Sequence, residues 1–217
     1  MDQDEKKIKV AEAALEYIEN NEILGIGSGS TVNCFIEMLD KVKSKIEAVV
    51  SSSEKTSQLV KSKNIKVIEL REAGKISVYI DGADESNKFK QLIKGGGGAL
   101  TREKIVANSS SKFICMIDDS KYVGVLGKFP LPIEVIKMAQ SSVAMEMIKL
   151  GGRPILRENF ITDNGNIILD VHDLEINEPI KLEKFLNNIP GVVTNGLFAI
   201  RCADKLLIAD DKNIEVI

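Results

Sequence analysis

Side chains able to do chemistry are concentrated in residues 81–103, which read DGADESNKFKQLIKGGGGALTRE. This stretch carries Asp81, Asp84, Lys94 and Glu103 around four consecutive glycines. Carboxylates can transfer protons, a lysine ammonium can stabilise a developing anion, and glycine lets backbone N–H groups approach a ligand closely. The combination predicts acid–base chemistry on hydroxyl groups, with a charged oxygen stabilised along the way.

The elements on either side must position these residues. Ile76–Ile80 (ISVYI) is a short apolar run rich in β-branched residues, which is typical of a buried strand. Leu100–Asn108 (LTREKIVAN) has apolar residues at helical spacing. A strand, a glycine loop and a helix in this order predict a site at the carboxyl end of an open α/β sheet. A flexible glycine connector is the structural alternative.

Other readings of these charged residues remain open at this level. Carboxylates at 81, 84 and 85 suit magnesium, but no further acidic or histidine cluster completes such a site. Asp81 and Asp84 are better suited to handle the hydroxyl protons of one ligand, and Glu85 is interpreted as a solvated neighbour. Lys94 has the alternative of an ordinary surface lysine, and Glu103 that of a helix cap on a solvated face.

A second glycine loop, GIGSGST, spans Gly25–Thr31 between a predicted strand and a predicted helix. It departs from the dinucleotide fingerprint, which needs G-x-G-x-x-G, and it lacks the GK[ST] of a P-loop. What remains is backbone N–H groups and the hydroxyls of Ser28, Ser30 and Thr31 at a helix N-terminus. This pattern predicts binding of one phosphate monoester, with a simple capped turn as the alternative.

Composition limits the classes of function. The 217 residues are 44% hydrophobic and 28% charged, which is typical of a globular protein with a substantial core. The formal net charge of −3 offers no basic excess for nucleic acid or an anionic membrane. We therefore expect a small-molecule ligand, with no nucleic-acid or membrane partner.

The cysteines and the N-terminal residues bear on location. Cys34, Cys115 and Cys202 are odd in number, distant from one another and without a CxxC pair, so neither a disulfide framework nor a zinc site is expected. The start, MDQDEKK, lacks the apolar core of a signal peptide, and no apolar run is long enough to span a bilayer. These features predict a cytoplasmic protein.

Strands and helices alternate over the first part of the chain, which predicts a parallel sheet covered by helices. The predicted strands and helices are a helix over 4–20, strands at Glu22–Ile26, Ile46–Val50, Lys66–Ile68, Ile76–Ile80 and Phe113–Ile117, and helices after GIGSGST and at SSSEKT.

The pattern changes near Pro130 to β-α-β-β-α-β, which indicates a small α+β domain. Within it, Asn164-Gly165 predicts a hairpin between strands at Phe160–Ile161 and Ile167–Asp170. We predict one domain of residues 1–130 and 201–217, whose terminal strands return to the large sheet. The second predicted domain is 131–200.

Taken together, the motifs resemble a known family. GIGSGST, DGADE, KGGGGALTREK and TDNGNIILDVH, followed by LxNIPGVVTNGLFA and RxAD, are similar in order and spacing to ribose-5-phosphate isomerase of the A type. The resemblance covers essentially the whole chain. It implies interconversion of D-ribose 5-phosphate and D-ribulose 5-phosphate in the non-oxidative pentose phosphate pathway. It also implies no metal or organic cofactor, and a homodimer or homotetramer.

The resemblance further implies a fold and a set of site residues. The fold is an α/β class with a Rossmann-like, mostly parallel sheet and helices on both faces, plus a smaller α+β, ferredoxin-like domain. Glu103 matches the proton-transferring carboxylate, and Asp81, Asp84 and Lys94 match residues that assist ring opening and the enediolate. The implied substrate-binding residues are Lys7, Ser28, Gly29, Ser30, Thr31, Gly82, Ala83, Gly95, Gly96, Gly97 and Lys121.

The chain departs from the family pattern at three positions. Ser28 stands where Thr is common and keeps the hydroxyl, Lys137 stands where Pro is frequent, and Cys202 replaces a small residue. Rival interpretations are an amino-sugar phosphate deaminase, a coenzyme A transferase and a non-catalytic sugar-phosphate sensor. A sensor would normally carry a DNA-reading module, for which the chain has neither spare length nor a basic patch.

Overall fold

The computed structural model describes residues 1–20 and 22–217, and it contains six α-helices and thirteen strands within them. In chain order these are α1 Gln3–Ala14, β1 Glu22–Ile26, α2 Ser30–Glu37, β2 Ile46–Ser51, α3 Glu54–Ser62, β3 Ile76–Gly82, β4 Glu85–Ser86, β5 Leu92–Ile93, α4 Leu100–Asn108, β6 Ser110–Asp118, β7 Leu131–Val135, α5 Gln140–Lys149, β8 Arg153–Leu156, β9 Ile167–His172, α6 Pro179–Leu186, β10 Val192–Asn195, β11 Leu197–Phe198, β12 Lys205–Ala209 and β13 Ile214–Val216.

The chain divides into two compact units. The first comprises residues 1–83, 102–122 and 203–217, and the second comprises 84–101 and 123–202. In the described part of the chain, no helix combines the length and apolarity needed to cross a membrane.

These units divide the chain differently from the predicted domains, because residues 84–101, 123–130 and 201–202 cluster with the second unit. Two of the long-range contacts within the second unit illustrate this. Strand β5 pairs with β11, and the Val123 N–H donates to the Ser86 carbonyl at 2.8 Å. Neither contact has a local signal in the sequence, so a change in composition near Pro130 could not reveal it.

The first unit is built on a six-stranded sheet in the order β13-β12-β6-β3-β1-β2. All neighbouring pairs are parallel except β12 with β13. Strands β3 and β6 lie inside this order and are buried almost throughout, as their continuous apolar runs predict. The predicted parallel sheet and the return of the terminal strands to it are confirmed.

Helix ends in this unit follow local chemistry. Asp2 and Glu5 form a capping box at α1, and the Ser53 side chain accepts from the Thr56 N–H at the start of α3. The helix predicted over 4–20 ends earlier, at Ala14, and continues as a 3₁₀ turn over Leu15–Tyr17. The apolar periodicity persists through this turn because its residues still pack on the core.

The strand predicted at Lys66–Ile68 is reduced to one parallel bridge between Val49 and Val67. Strand β2 is the edge of the sheet, and only this bridge extends it. A three-residue apolar pattern is too short to distinguish a strand from an extended connection.

The second unit contains an antiparallel sheet in the order β10-β7-β9-β8, with α5 after β7 and α6 after β9. This is the predicted β-α-β-β-α-β arrangement. Its core is formed by the apolar residues of the sheet and the inward faces of the two helices, including Val143, Met147 and Leu186.

The hairpin predicted between strands at Phe160–Ile161 and Ile167–Asp170 is not formed. Strand β9 pairs with β8, whereas Phe160–Ile161 is not a strand. The Asn164-Gly165 pair does form a turn, closed by the Thr162 N–H donating to the Asn166 carbonyl at 2.9 Å. The turn predicted at Asn164-Gly165 is therefore confirmed, but it lies in a longer loop between β8 and β9.

That loop is held by a buried carboxylate, Glu134 on β7. Glu134 is fully buried and accepts from the hydroxyls of Thr101 at 2.5 Å and Thr162 at 2.9 Å. It also accepts from the side-chain amides of Asn164 at 3.1 Å and Asn166 at 2.8 Å. The TDNGN motif thus serves to satisfy a buried charge inside the second unit.

We expect Glu134→Gln to lower the free energy of unfolding by about 1–3 kcal/mol, because a neutral amide leaves part of this donor set without its charged acceptor. The measurement is the urea unfolding midpoint. Glu175→Gln is the matched control on the exposed surface of the same unit, and it should change stability by less than about 0.5 kcal/mol. Equal stabilities for the two variants would contradict this account of Glu134.

Candidate active site

The first unit places its site at a reversal in strand order. Strand β1 lies between β2 and β3, so the chain leaves β1 in one direction and later returns on its other side. Such a switch point opens a crevice at the carboxyl ends of the two central strands. Here the Gly27 N–H donates to the Ile80 carbonyl at 2.9 Å, which brings the loop after β1 beside the end of β3.

Asp81, near the end of β3, is fully buried at this point. One carboxylate oxygen accepts from the backbone N–H groups of Gly82 at 2.7 Å and Ser28 at 3.1 Å. The other accepts from the hydroxyl of Tyr79. A buried carboxylate that accepts from these donors is held in one orientation, so Asp81 joins the two strand ends.

Tyr79 is an addition to the residues found from the sequence. Burial raises the pKa of its hydroxyl well above the ordinary value, and the negative charges of Asp81 and Glu103 raise it further. Tyr79 therefore remains a neutral hydrogen-bond donor to Asp81 at neutral pH. Its ring packs against Phe113, with centroids 5.0 Å apart. The apolar pattern of ISVYI identified the strand but not this polar role.

Gly27 is also an addition. A Cβ atom at this position would overlap the carboxyl group of Asp81, so the loop can approach β3 only because residue 27 has no side chain. The Gly27 carbonyl accepts from the Thr56 hydroxyl at 2.8 Å, which fixes the loop from the opposite side.

Glu103 lies in the first turn of α4 and is only 3% exposed. Its Oε1 atom accepts from the Ser28 hydroxyl at 2.7 Å. The neighbouring Arg102 is one-third exposed and forms an ion pair with Glu54 at 2.8 Å. The solvated-face alternative is thus wrong for Glu103, which lies with Ser28 and Asp81 in one network.

The N-terminus of α2 begins directly after this network. Its N-cap residue is Gly29, which has no capping side chain and whose φ of +105° favours glycine. Ser30 is exposed, whereas Thr31 is buried. Backbone N–H groups and hydroxyls are therefore available at the positive end of a helix dipole, as the phosphate-loop prediction requires.

Lys7 and Lys121 are placed around Asp118, at the end of β6. Lys7 forms an ion pair with Asp4 at 2.8 Å, and this contact raises its pKa, with a smaller contribution from Asp118. Burial raises the pKa of Asp118, but a hydrogen bond from Ser120 and the charge of Lys121 contribute to a net lowering. Since β3 lies between β6 and β1 in the sheet, one strand separates Asp118 from the loop that follows β1.

In the second unit, Asp84 and Lys94 stand at the two ends of a hairpin that the sequence did not predict. Strands β4 and β5 pair antiparallel, and the Asp84 N–H donates to the Ile93 carbonyl at 2.9 Å. Lys94 is only 2% exposed, and its Nζ lies 5.7 Å from the ring centroid of Phe198. The surface-lysine alternative is therefore wrong.

The glycine run after Lys94 forms a tight turn, in which the Gly98 N–H donates to the Gly95 carbonyl at 2.9 Å. The Gly96 N–H donates to Asp84 Oδ2 at 2.8 Å, and a Cβ on Gly96 would lie 2.7 Å from Asp84 Oδ1. Gly95 has a φ of +109° and is buried, whereas Gly96 and Gly97 are exposed. The run is an ordered turn and not a flexible connector.

Arg157 supports this turn and is a further residue that the sequence patterns did not identify. Its Nη1 donates to the carbonyls of Gly95 at 3.2 Å and Gly96 at 3.1 Å. The guanidinium also donates twice to the Asp170 carboxylate, at 2.9 and 2.6 Å. The glycines lie about sixty residues away in sequence, so no local pattern identifies Arg157.

Glu85 corrects another interpretation, since it is buried and not solvated. Its carboxylate accepts from the backbone N–H groups of Gly127 at 2.8 Å and Phe129 at 2.5 Å. Glu85 therefore anchors the 123–130 segment within the second unit. Within the described residues, no group of three or more His, Cys, Asp or Glu side chains is arranged to hold a metal ion.

Known proteins match this chain over most of its length. A family model described as Ribose 5-phosphate isomerase A (phosphoriboisomerase A) matches residues 48–213. This chain belongs to that family.

Relatives named as ribose-5-phosphate isomerases align with this chain over nearly its full length. Ribose-5-phosphate isomerase A of Legionella pneumophila (strain Lens) is 55% identical over 210 residues, which cover 97% of each chain. The crystal structure of the Neisseria gonorrhoeae enzyme is 48% identical with a TM-score of 0.97, covering 100% of this chain and 97% of that one. A D-ribose-5-phosphate isomerase in complex with phospho-erythronic acid is 36% identical with a TM-score of 0.95, covering 100% and 99%.

The fold class and the activity predicted from the motifs are confirmed by these matches. The protein is an isomerase that interconverts D-ribose 5-phosphate and D-ribulose 5-phosphate, a reaction of the pentose phosphate pathway.

Proposed function

We propose that Glu103 is the group that moves the proton between C2 and C1 of the open-chain sugar. The observation that supports this most directly is the burial of Glu103, whose Oε1 atom accepts from the Ser28 hydroxyl, because this contact restricts the orientation of the carboxylate. A positioned carboxylate shielded from water is suited to general base catalysis and then, once protonated, to general acid catalysis.

Glu103 takes the C2 proton of the aldose as the C1–C2 double bond forms, and the carbonyl electrons move to O1. Transfer of the O2 hydroxyl proton to O1 and return of the Glu103 proton to C1 give the ketose. The intermediate enediolate carries negative charge on oxygen. We assign its stabilisation to the Lys94 ammonium and to the backbone N–H groups of Gly95 and Gly97, since the Gly96 N–H donates to Asp84.

Ring opening requires a group that moves the anomeric hydroxyl proton, and Asp81 and Asp84 were both candidates. The buried Asp81 carboxylate is occupied by Ser28, Gly82 and Tyr79. Asp84 is partly exposed and is anchored by the Gly96 N–H. This difference favours Asp84 for proton transfer and Asp81 for holding the loop, with Gly82 and Ala83 as the backbone that joins them.

The relative bound to phospho-erythronic acid supports the enediolate step. A carboxylate on a phosphorylated four-carbon chain presents two oxygens on one planar carbon, much as the enediolate presents O1 and O2 in one plane. We propose that the same kind of ligand binds this chain as a reaction-intermediate mimic.

The phosphoryl group is assigned to the α2 N-terminus, that is to Gly29, Ser30 and Thr31, with Lys7 and Lys121 as further cations. We expect Ser30→Ala combined with Thr31→Val to raise KM for D-ribose 5-phosphate about 10- to 100-fold, since hydrogen bonds to charged groups contribute about 1.5–3 kcal/mol. Steady-state kinetics give this value. Valine keeps the shape of the buried threonine, so packing is preserved.

The unphosphorylated sugar D-ribose is the substrate control for this prediction, because its turnover should change far less. Ser62→Ala removes an exposed hydroxyl that bonds the Leu59 carbonyl on α3, and it should leave both substrates unaffected. Equal losses for the two sugars would remove the phosphate assignment.

The reaction as proposed needs neither a metal nor an organic cofactor. We expect full activity after exhaustive chelation and dialysis into metal-free buffer, because Lys94 and backbone N–H groups supply the charge stabilisation. The measurement is the initial rate before and after treatment. A loss of activity that added magnesium restores would overturn this part of the proposal.

The family resemblance also leads us to propose a homodimer or homotetramer and a cytoplasmic location. Light scattering on the purified protein measures the assembly directly, and a monomer at micromolar concentration would contradict it.

Ketose formation from D-ribose 5-phosphate is the experiment that tests the function as a whole. A deaminase would instead release ammonia from an amino-sugar phosphate, and a coenzyme A transferase would form a covalent glutamyl intermediate. A sensor would bind D-ribose 5-phosphate without turning it over.

A further inference from the structure

Ser28 was expected to bind phosphate with the rest of its loop, but both of its polar donors are directed at carboxylates. Its hydroxyl donates to Glu103 Oε1 at 2.7 Å, and its backbone N–H donates to Asp81 Oδ1 at 3.1 Å. Ser30 and Thr31, at the start of α2, are in a different situation, since they follow the uncapped Gly29.

We infer that Ser28 is a positioning residue for Glu103, and that it is not a phosphate ligand. This inference rests on the proposed role of Glu103 and goes further by naming the group that orients it. A carboxylate has several acceptor directions, and the Ser28 hydroxyl bound to Oε1 restricts the rotation of the Glu103 carboxylate. Ser28 thus sets the direction from which Glu103 meets the carbon-bound proton.

The rest of the network makes Ser28 a rigid support. Gly27, on its N-terminal side, lies against Asp81 where no side chain fits, and the Thr56 hydroxyl holds the Gly27 carbonyl. Asp81 is fixed in turn by Tyr79, whose raised pKa keeps it a donor. The peptide group between Gly27 and Ser28 is therefore held at both its carbonyl and its N–H, which supports a defined position for the Ser28 hydroxyl.

The test separates positioning from phosphate binding by kinetics. We expect Ser28→Ala to lower kcat by about 10²-fold, the cost of a small misplacement of a reacting group, while KM stays close to the wild-type value. Competitive inhibition by inorganic phosphate should be unchanged in this variant and weakened in Ser30→Ala/Thr31→Val. Ser28→Thr keeps the hydroxyl and should retain wild-type kcat.

A double variant tests whether Ser28 acts through Glu103. In the Glu103→Gln background, Ser28→Ala should cause little further loss, whereas an equal further loss would overturn the inference. So would a raised KM with weakened phosphate inhibition in Ser28→Ala alone. Should Ser28→Ala fail to fold, Ser28→Cys supplies a similar volume with a weak donor, and normal kcat in that variant would overturn the inference.

The proposed role of Glu103 and the role inferred for Ser28 are contradicted by different results. Normal turnover of Glu103→Gln would remove the proposed role of Glu103 and the inference about Ser28 with it. An impaired Glu103→Gln beside a Ser28→Ala variant of normal kcat would overturn the inference about Ser28 alone.

Discussion

Glu103→Gln should lower kcat for D-ribose 5-phosphate by about 10²–10⁴-fold, which is the usual contribution of a positioned general acid–base group. The amide cannot take the C2 proton, but its oxygen can still accept from the Ser28 hydroxyl, so the geometry of the network is retained. Substrate binding should therefore change much less than turnover. Initial-rate kinetics measure kcat and KM. Exchange of the C2 proton with deuterated solvent measures proton removal from the sugar directly.

Glu47→Gln is the matched control, since Glu47 is an exposed residue on β2 of the same unit. It should leave kcat and KM at their wild-type values. Near-normal turnover of Glu103→Gln, with unchanged KM, would mean that another group moves the carbon-bound proton.

Gly27→Ala is the second change from which we expect a large effect. The added methyl would occupy the space of the Asp81 carboxyl group, so either the loop or Asp81 must move. Movement breaks the hydrogen bonds that Asp81 accepts from Ser28, Gly82 and Tyr79. We expect the free energy of unfolding to fall by about 1–3 kcal/mol, as for other overpacked sites. Because Ser28 would move with the loop, kcat should fall by about 10²-fold.

Urea unfolding and steady-state kinetics measure these two effects. Gly124→Ala is the control, because a Cβ at Gly124 meets open space. Combining Gly27→Ala with Asp81→Ala removes the overlap, so the double variant should lose less stability than the sum of the single changes. A Gly27→Ala protein with wild-type stability and kcat would contradict the close packing of the loop against β3.

Sequence patterns predicted those features whose signals are local. The glycine loop after β1, the apolar run of β3 and the helix that begins at Leu100 each show in a few consecutive residues. Patterns of three residues or fewer were less reliable, as Lys66–Ile68 and Phe160–Ile161 show, because short extended segments pair only where a neighbouring strand is available.

Whether a charged residue is buried was even harder to predict from local patterns. Glu85 was interpreted as solvated, and Glu134 was not singled out, although both are buried carboxylates with several donors. A charge is stable inside a protein only when partners surround it, and these partners lie far away in sequence. For Glu85 they are 42 and 44 residues away.

The sequence by itself determined the order of strand, glycine loop and helix, the types of reactive side chain and, through its motifs, the family. Only the tertiary structure decided that Ser28 directs its hydroxyl to Glu103 and its N–H to Asp81, partners that lie 75 and 53 residues away. The physical reason is the reversal of strand order at β1, which brings distant strand ends together while each local pattern specifies only its own strand.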